Sequence, residues 1–165
     1  MPRILLTGMS GAGKSTLLTE LARRGHLTVD TDHDGWTDGD GGPWDEERMS
    51  RLLATREDVV VSGTAENQGV FRDRFAHVIL LSAPIEVLLE RVRRRTGNPY
   101  GKTPEQQDDI RRYTIEVEPL LRRSATLELD GRRPVSDLAD EVEALLAPSP
   151  PPGNESPPRF STRTP

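Results

Sequence analysis

Eight consecutive residues, GMSGAGKS from Gly8 to Ser15, set a glycine-rich turn in front of a lysine and a hydroxyl at fixed spacing. This is the G-x-x-x-x-G-K-[ST] pattern, and the chemistry it serves is the holding of a polyphosphate. Glycines let backbone N–H groups turn inward around phosphate oxygens, while the positive end of the following helix faces the same charges. On that reading Gly8, Ser10, Gly11, Ala12, Gly13 and Thr16 contact the phosphates of ATP, Lys14 reaches the β- and γ-phosphates, and Ser15 offers its hydroxyl to Mg²⁺. Lys14 and Lys102 are the only lysines among 22 basic residues, which adds weight to the first of them.

A second chemical stretch is DTDHDGWTDGDGG, Asp30 to Gly42. Asp30, Asp32 and Asp34 alternate ahead of Gly35, the opening of a calcium loop. Such a loop needs a bidentate glutamate at its twelfth position, which here is Gly41, and a helix before it, where His26 to Val29 reads as a strand. The first acids are better explained as the end of that strand, beside the glycine-rich loop. Asp34, Asp38 and Asp40 sit among glycines, where turn chemistry accounts for them.

Alternating elements must position these groups. Ile4-Leu5-Leu6 is a short apolar run of the kind buried on both faces of a sheet, and Lys14 to Arg24 carries leucines at helical spacing up to Gly25. Further strands are expected at 26–29, 58–61, 77–81 and 127–129, and helices at 44–56, 84–95, from about 104 to 123, and 135–146. The order βαβαβαβααβα predicts a three-layer αβα fold of the P-loop NTPase kind, with a five-stranded, largely parallel sheet. Residues 1–147 form the expected domain, and segment 96–104, with Gly97, Pro99 and Gly101, a hinge-bearing lid. From Pro148 onward PSPPPGNESPPRFSTRTP reads as a disordered tail, with a protein partner for it a sharper but less supported reading.

Composition narrows the class. A chain of 165 residues suits one domain, and a net charge of -5 argues against a general nucleic-acid binder. No cysteine is present, and no window approaches the roughly 20 apolar residues of a membrane span, so the expectation is a soluble, cytoplasmic protein. A GTPase would carry an N-K-x-D element, which lysines only at 14 and 102 cannot supply. A motor ATPase would end its third strand in an acidic pair, but this strand ends in Ser62-Gly63. A small-molecule kinase fits better, with Asp32 as the general base toward the acceptor hydroxyl.

Together GMSGAGKS, the V-D-T-D of 29–32, RRRTGNPYGK at 93–102 and EPLLRRSATLELDGRRP at 118–134 resemble the small P-loop kinases, shikimate kinase above all. The resemblance implies that Asp30 lies near Mg²⁺, Asp32 holds the acceptor hydroxyl, Arg95 packs on adenine, and the Asp130 to Pro134 loop, with Arg132 and Pro134, forms the other adenine wall. It also departs from the family. Three glycines expected after the third strand are replaced by SGTAENQG, with Gly63 as the candidate acceptor contact, and the carboxylate-binding arginine falls near Val117 and Glu118. Shikimate is therefore not the expected acceptor. Arg51 is the candidate among Arg48, Arg51, Arg72 and Arg74 for gripping an anionic acceptor, and Lys102 leads Arg93, Arg94 and Arg95 for meeting the γ-phosphoryl. Trp36 and Trp44 either wall the acceptor pocket or fill core. A nucleoside monophosphate kinase and a non-catalytic ATP-binding protein remain alternatives.

Overall fold

The computed structural model describes residues 2–37 and 42–147; Asp38, Asp40 and the proline-rich segment 148–165 lie outside the described residues. Five parallel strands form one sheet: β1 (Arg3–Thr7), β2 (Thr28–Asp30), β3 (Val59–Ser62), β4 (His77–Ser82) and β5 (Leu127–Asp130), in the order β2-β3-β1-β4-β5. Strand alternation sends Ile4 and Leu6 to one face and Leu5 to the other, all three at or below 1% exposure. The first face packs Leu17, Leu18 and Leu21 of α1 (Lys14–Arg23) and Leu138, Ala139 and Val142 of α6 (Val135–Leu146). Across the sheet, Leu5 meets Met49 and Leu53 of α2 (Glu46–Thr55), together with Trp36, Trp44, Phe71 and Phe75. Both faces are covered, and this is why β3 and β4 read as unbroken apolar runs.

α3 (Ile85–Arg94) and α4 (Pro104–Glu116) pack through Leu89, Val92 and Ile110, with Tyr100 of the intervening loop against them. Three local details differ from expectation. β2 is shifted to 28–30, because its ladder to β3 runs from Thr28 opposite Val60 to Asp30 opposite Ser62. The single helix expected to about 123 is two, α4 and α5 (Glu118–Ser124), since Val117 ends one helix, begins the other and is followed by Pro119 in the new first turn. The polar segment after β3 winds into a 3-10 helix, Gln68–Arg74.

β1 leads toward β2 and β4 toward β5, so a crevice opens between these neighbours at the carboxyl ends of the strands. Next to it, Thr31 is buried and donates both its N–H and its Oγ1 hydroxyl to the Ser62 carbonyl at 2.9 Å. Pinning Thr31 inward turns Asp30 and Asp32 outward on the opposite face of the extended chain. Gly63 packs beneath this anchor: a Cβ there would lie 1.9 Å from the Thr31 hydroxyl oxygen. Gly63→Ala is expected to destabilise the fold by about 1–3 kcal/mol, lowering Tm by about 3–10 °C in a thermal melt.

Candidate active site

The glycine-rich loop expected to hold phosphate runs from Gly8 to Gly13 between β1 and α1. Gly13 is the helix N-cap at φ 105°, a left-handed conformation that favours glycine, and no side chain caps the helix there. The unsatisfied first-turn amides of α1 therefore face the crevice, with Ser15 and Thr16 exposed in that turn. The Lys14 ammonium curls across its own loop and donates to the carbonyls of Gly8 (2.5 Å) and Met9 (3.1 Å). Its burial brings the Lys14 pKa from 10.5 down to about 8, against the opposing pull of Asp32 and Asp30 and with a smaller contribution from Arg95.

Asp30 and Asp32 stand across from that loop. The Ser15 hydroxyl lies 3.4 Å from Asp30 Oδ2, while Asp30 Oδ1 accepts the N–H of Asp32 at 3.0 Å. Hydroxyl and carboxylate oxygens are a donor set suited to a hard cation. Among the described residues no cluster of three acidic or histidine side chains could hold a metal alone, so a cation here needs phosphate or water oxygens as well. Asp32 is exposed.

Beneath the loop, Thr64 connects it to the segment after β3. Its hydroxyl donates to Gly8 O (2.9 Å), lies 2.9 Å from Thr7 Oγ1, and is 3.3 Å from Gly8 N. Asn67 then clasps the Trp44 backbone on both sides, accepting its N–H at 2.9 Å and donating to its carbonyl at 3.0 Å. Both tryptophans are buried in the core cluster on the α2 face of the sheet. The Arg48 guanidinium covers Trp36 at 4.0 Å and donates to the Asp34 carbonyl, in a turn made by Asp34 and Gly35 at φ 61° and 75°.

The other named residues fall in different places. Arg51 is exposed on the α2 surface and pairs with Glu47 at 3.0 Å, so Arg48 is the α2 cation adjoining the acidic loop. Gly63 is buried under Thr31. Lys102 donates to the Arg93 carbonyl and, at 2.6 Å, to the Arg95 carbonyl, which caps the negative end of α3. Arg95 donates to Tyr100 O at 2.8 Å, and its charge adds to the lowering of the Lys14 pKa. Burial lowers the Arg95 pKa, opposed by Asp32. Arg132 grips Asp130 at 2.7 Å and holds that carboxyl at about 2, and Pro134 begins α6. Sequence reasoning overlooked Arg91, which reaches the phosphate loop and Gly131 together. Its only sequence signal is its place one turn ahead of Arg95 on α3.

The AAA domain family model matches residues 4–113. A shikimate kinase from Rhodopseudomonas palustris is 30% identical over 162 residues, covering 87% of this chain and 80% of that protein. Among solved structures, shikimate kinase from Acinetobacter baumannii in complex with shikimate aligns with a TM-score of 0.64 at 25% identity, covering 88% of this chain and 92% of that one. A gluconokinase from Sinorhizobium meliloti aligns with a TM-score of 0.58 at 25% identity, over 88% and 91% of the two chains. The chain belongs to the shikimate kinase-like small P-loop kinases. It is thus a small-molecule kinase. No helix among the described residues is long and apolar enough to cross a membrane.

A small P-loop kinase whose lysine has a lowered pKa links nucleotide binding to protons. Phosphate charge at the loop would favour the ammonium form, so binding there would raise the Lys14 pKa and take up protons where the free lysine is partly neutral. Nucleotide affinity is expected to fall as pH rises through about 8. Calorimetry at pH 8.5 in buffers of different ionisation enthalpy should show proton uptake on ADP binding, lost in Lys14→Met.

Proposed function

We propose that this kinase transfers the γ-phosphoryl of ATP to a hydroxyl of a small metabolite other than shikimate. The observation that carries the reading is the facing of the phosphate loop by Asp30 and Asp32: Ser15 lies 3.4 Å from Asp30, and the Lys14 ammonium feels both carboxylates. Phosphoryl transfer asks a protein mainly to position reactants and to balance developing charge. The loop amides and Lys14 serve the phosphates. Ser15, with Asp30 alongside, would hold Mg²⁺, whose charge would help to neutralise that of the phosphates. Asp32 is placed to orient the acceptor hydroxyl and take its proton as the new phosphorus–oxygen bond forms.

Three features support an acceptor other than shikimate. Where the family carries a run of glycines, this chain has Thr64 tied to the phosphate loop and Asn67 tied to Trp44. Where a carboxylate-binding arginine is expected, Glu118 is buried and paired with Arg122 at 2.9 Å. Beside the acidic loop stands Arg48, stacked on the buried Trp36 and donating to the Asp34 carbonyl. Arg95 rather than Lys102 is the lid cation whose field reaches the transfer centre, because Lys102 is engaged at the end of α3.

A turnover screen of ATP with hydroxylated acids, polyols and nucleoside monophosphates should find a hydroxyl acceptor. A phosphate acceptor would replace the reading with a nucleoside monophosphate kinase, and binding of ATP without any turnover would make the chain an ATP-binding regulator. Lys14→Ala is expected to abolish ATP-dependent turnover. Asp32→Asn should lower kcat by about 10²- to 10⁴-fold while leaving the Kd for ATP within about twofold, by single-turnover kinetics and equilibrium binding. Unchanged turnover in Asp32→Asn removes it as the base.

A further inference from the structure

Four arginines crowd the last turns of α3 and the residue after it, and three of them have local partners. Arg93 bonds Gln107, Arg94 pairs with Glu90, and Arg95 bonds Tyr100. Arg91 differs. It is half-buried, and among the described residues no carboxylate pairs with it. Its Nη1 donates to the carbonyls of Gly11 (3.3 Å) and Ala12 (3.1 Å), and its Nη2 to the carbonyl of Gly131 at 2.7 Å. One guanidinium thus joins the phosphate loop to the loop after β5.

We propose that Arg91 is a positioning residue that shapes the phosphate loop from behind. In a planar peptide the C=O of one residue and the N–H of the next point in opposite directions. Drawing the Ala12 carbonyl onto Arg91 therefore turns the Gly13 N–H the other way, toward the phosphate side, and among the described residues no acceptor takes that N–H. A partly buried charge in place of solvent also keeps two loop carbonyls from facing a polyanion. The Gly131 contact fixes where this support stands. Gly131 N–H donates to Ser82 O at 2.7 Å, and a Cβ on Gly131 would lie 2.4 Å from the Ala12 carbonyl oxygen, so the two loops touch through bare backbone. A planar fork with several donors can serve three carbonyls at once, which an ammonium cannot do with the same geometry.

The inference rests on the ATP-site reading and is tested on binding rather than on turnover, with inorganic tripolyphosphate set beside ATP. A residue acting only at the base side would weaken ATP and leave tripolyphosphate alone. Arg91→Met is expected to weaken both by a similar factor, about ten- to a hundredfold, with Arg91→Lys intermediate. The comparison is made well below the melting temperature of each variant. Equal tripolyphosphate affinity in wild type and Arg91→Met overturns the proposal, whether or not ATP affinity changes. If Arg91→Met does not fold, Arg91→Lys decides: parallel loss for both ligands supports the role, and loss for ATP alone removes it. Wild-type protein that binds neither ligand overturns the nucleotide-site reading and this inference with it.

Discussion

A backbone loop that accepts a polyanion must show its N–H groups to the ligand and hide its carbonyls, and chain connectivity does not do this unaided. Here the side chains that support the loop donate to its carbonyls, Thr64 alone also accepting a loop N–H, that of Gly8. Lys14 takes those of Gly8 and Met9, Thr64 also takes that of Gly8, and Arg91 takes those of Gly11 and Ala12. These donors come from α1, from the segment after β3 and from α3, so the loop conformation is a property of the whole sheet end. The apolar layers matter to chemistry through this route, because they fix the distances from which the donors reach.

The facing wall obeys a different rule. A strand alternates its side chains, and a single buried threonine settles which of its neighbours look outward. Thr31 accepts burial because its N–H and hydroxyl share the Ser62 carbonyl, and the pair Asp30 and Asp32 follows from that placement. Ser62 itself stands beside Leu6 in the ladder with β1, only one residue short of the strand end that leads into the phosphate loop. Carboxylates and phosphate loop are thus held in register by three adjacent parallel strands.

Much of this was legible in the residue order. Local periodicity located all five strands and the principal helices, and the spacing of glycine, lysine and serine marked the phosphate loop, since both signals are carried by neighbours in the chain. Contacts between distant residues were not. The choice of Arg48 over Arg51 depends on which face of α2 meets Trp36, and a run of arginines at the end of α3 gives no hint that Arg91 reaches the phosphate loop. Lys102 reads as a lid cation because Gly97, Pro99 and Gly101 make its loop hinge-bearing, yet its acceptors are the carbonyls left open at the end of α3. The 3-10 helix lacked an apolar period of its own, and its place is set by Gln68 and Phe71 burying themselves under β1 and α2.

The scarcity of lysine gives Lys14 a reactivity that the arginines cannot share. A guanidinium stays protonated throughout the ordinary pH range, whereas an amine with a pKa of about 8 spends part of its time at neutral pH as a free nucleophile. Half-buried and donating to the Gly8 and Met9 carbonyls, that amine meets a reagent only when it leaves those partners. A bound polyphosphate, by restoring the proton, would shield it chemically as well as sterically.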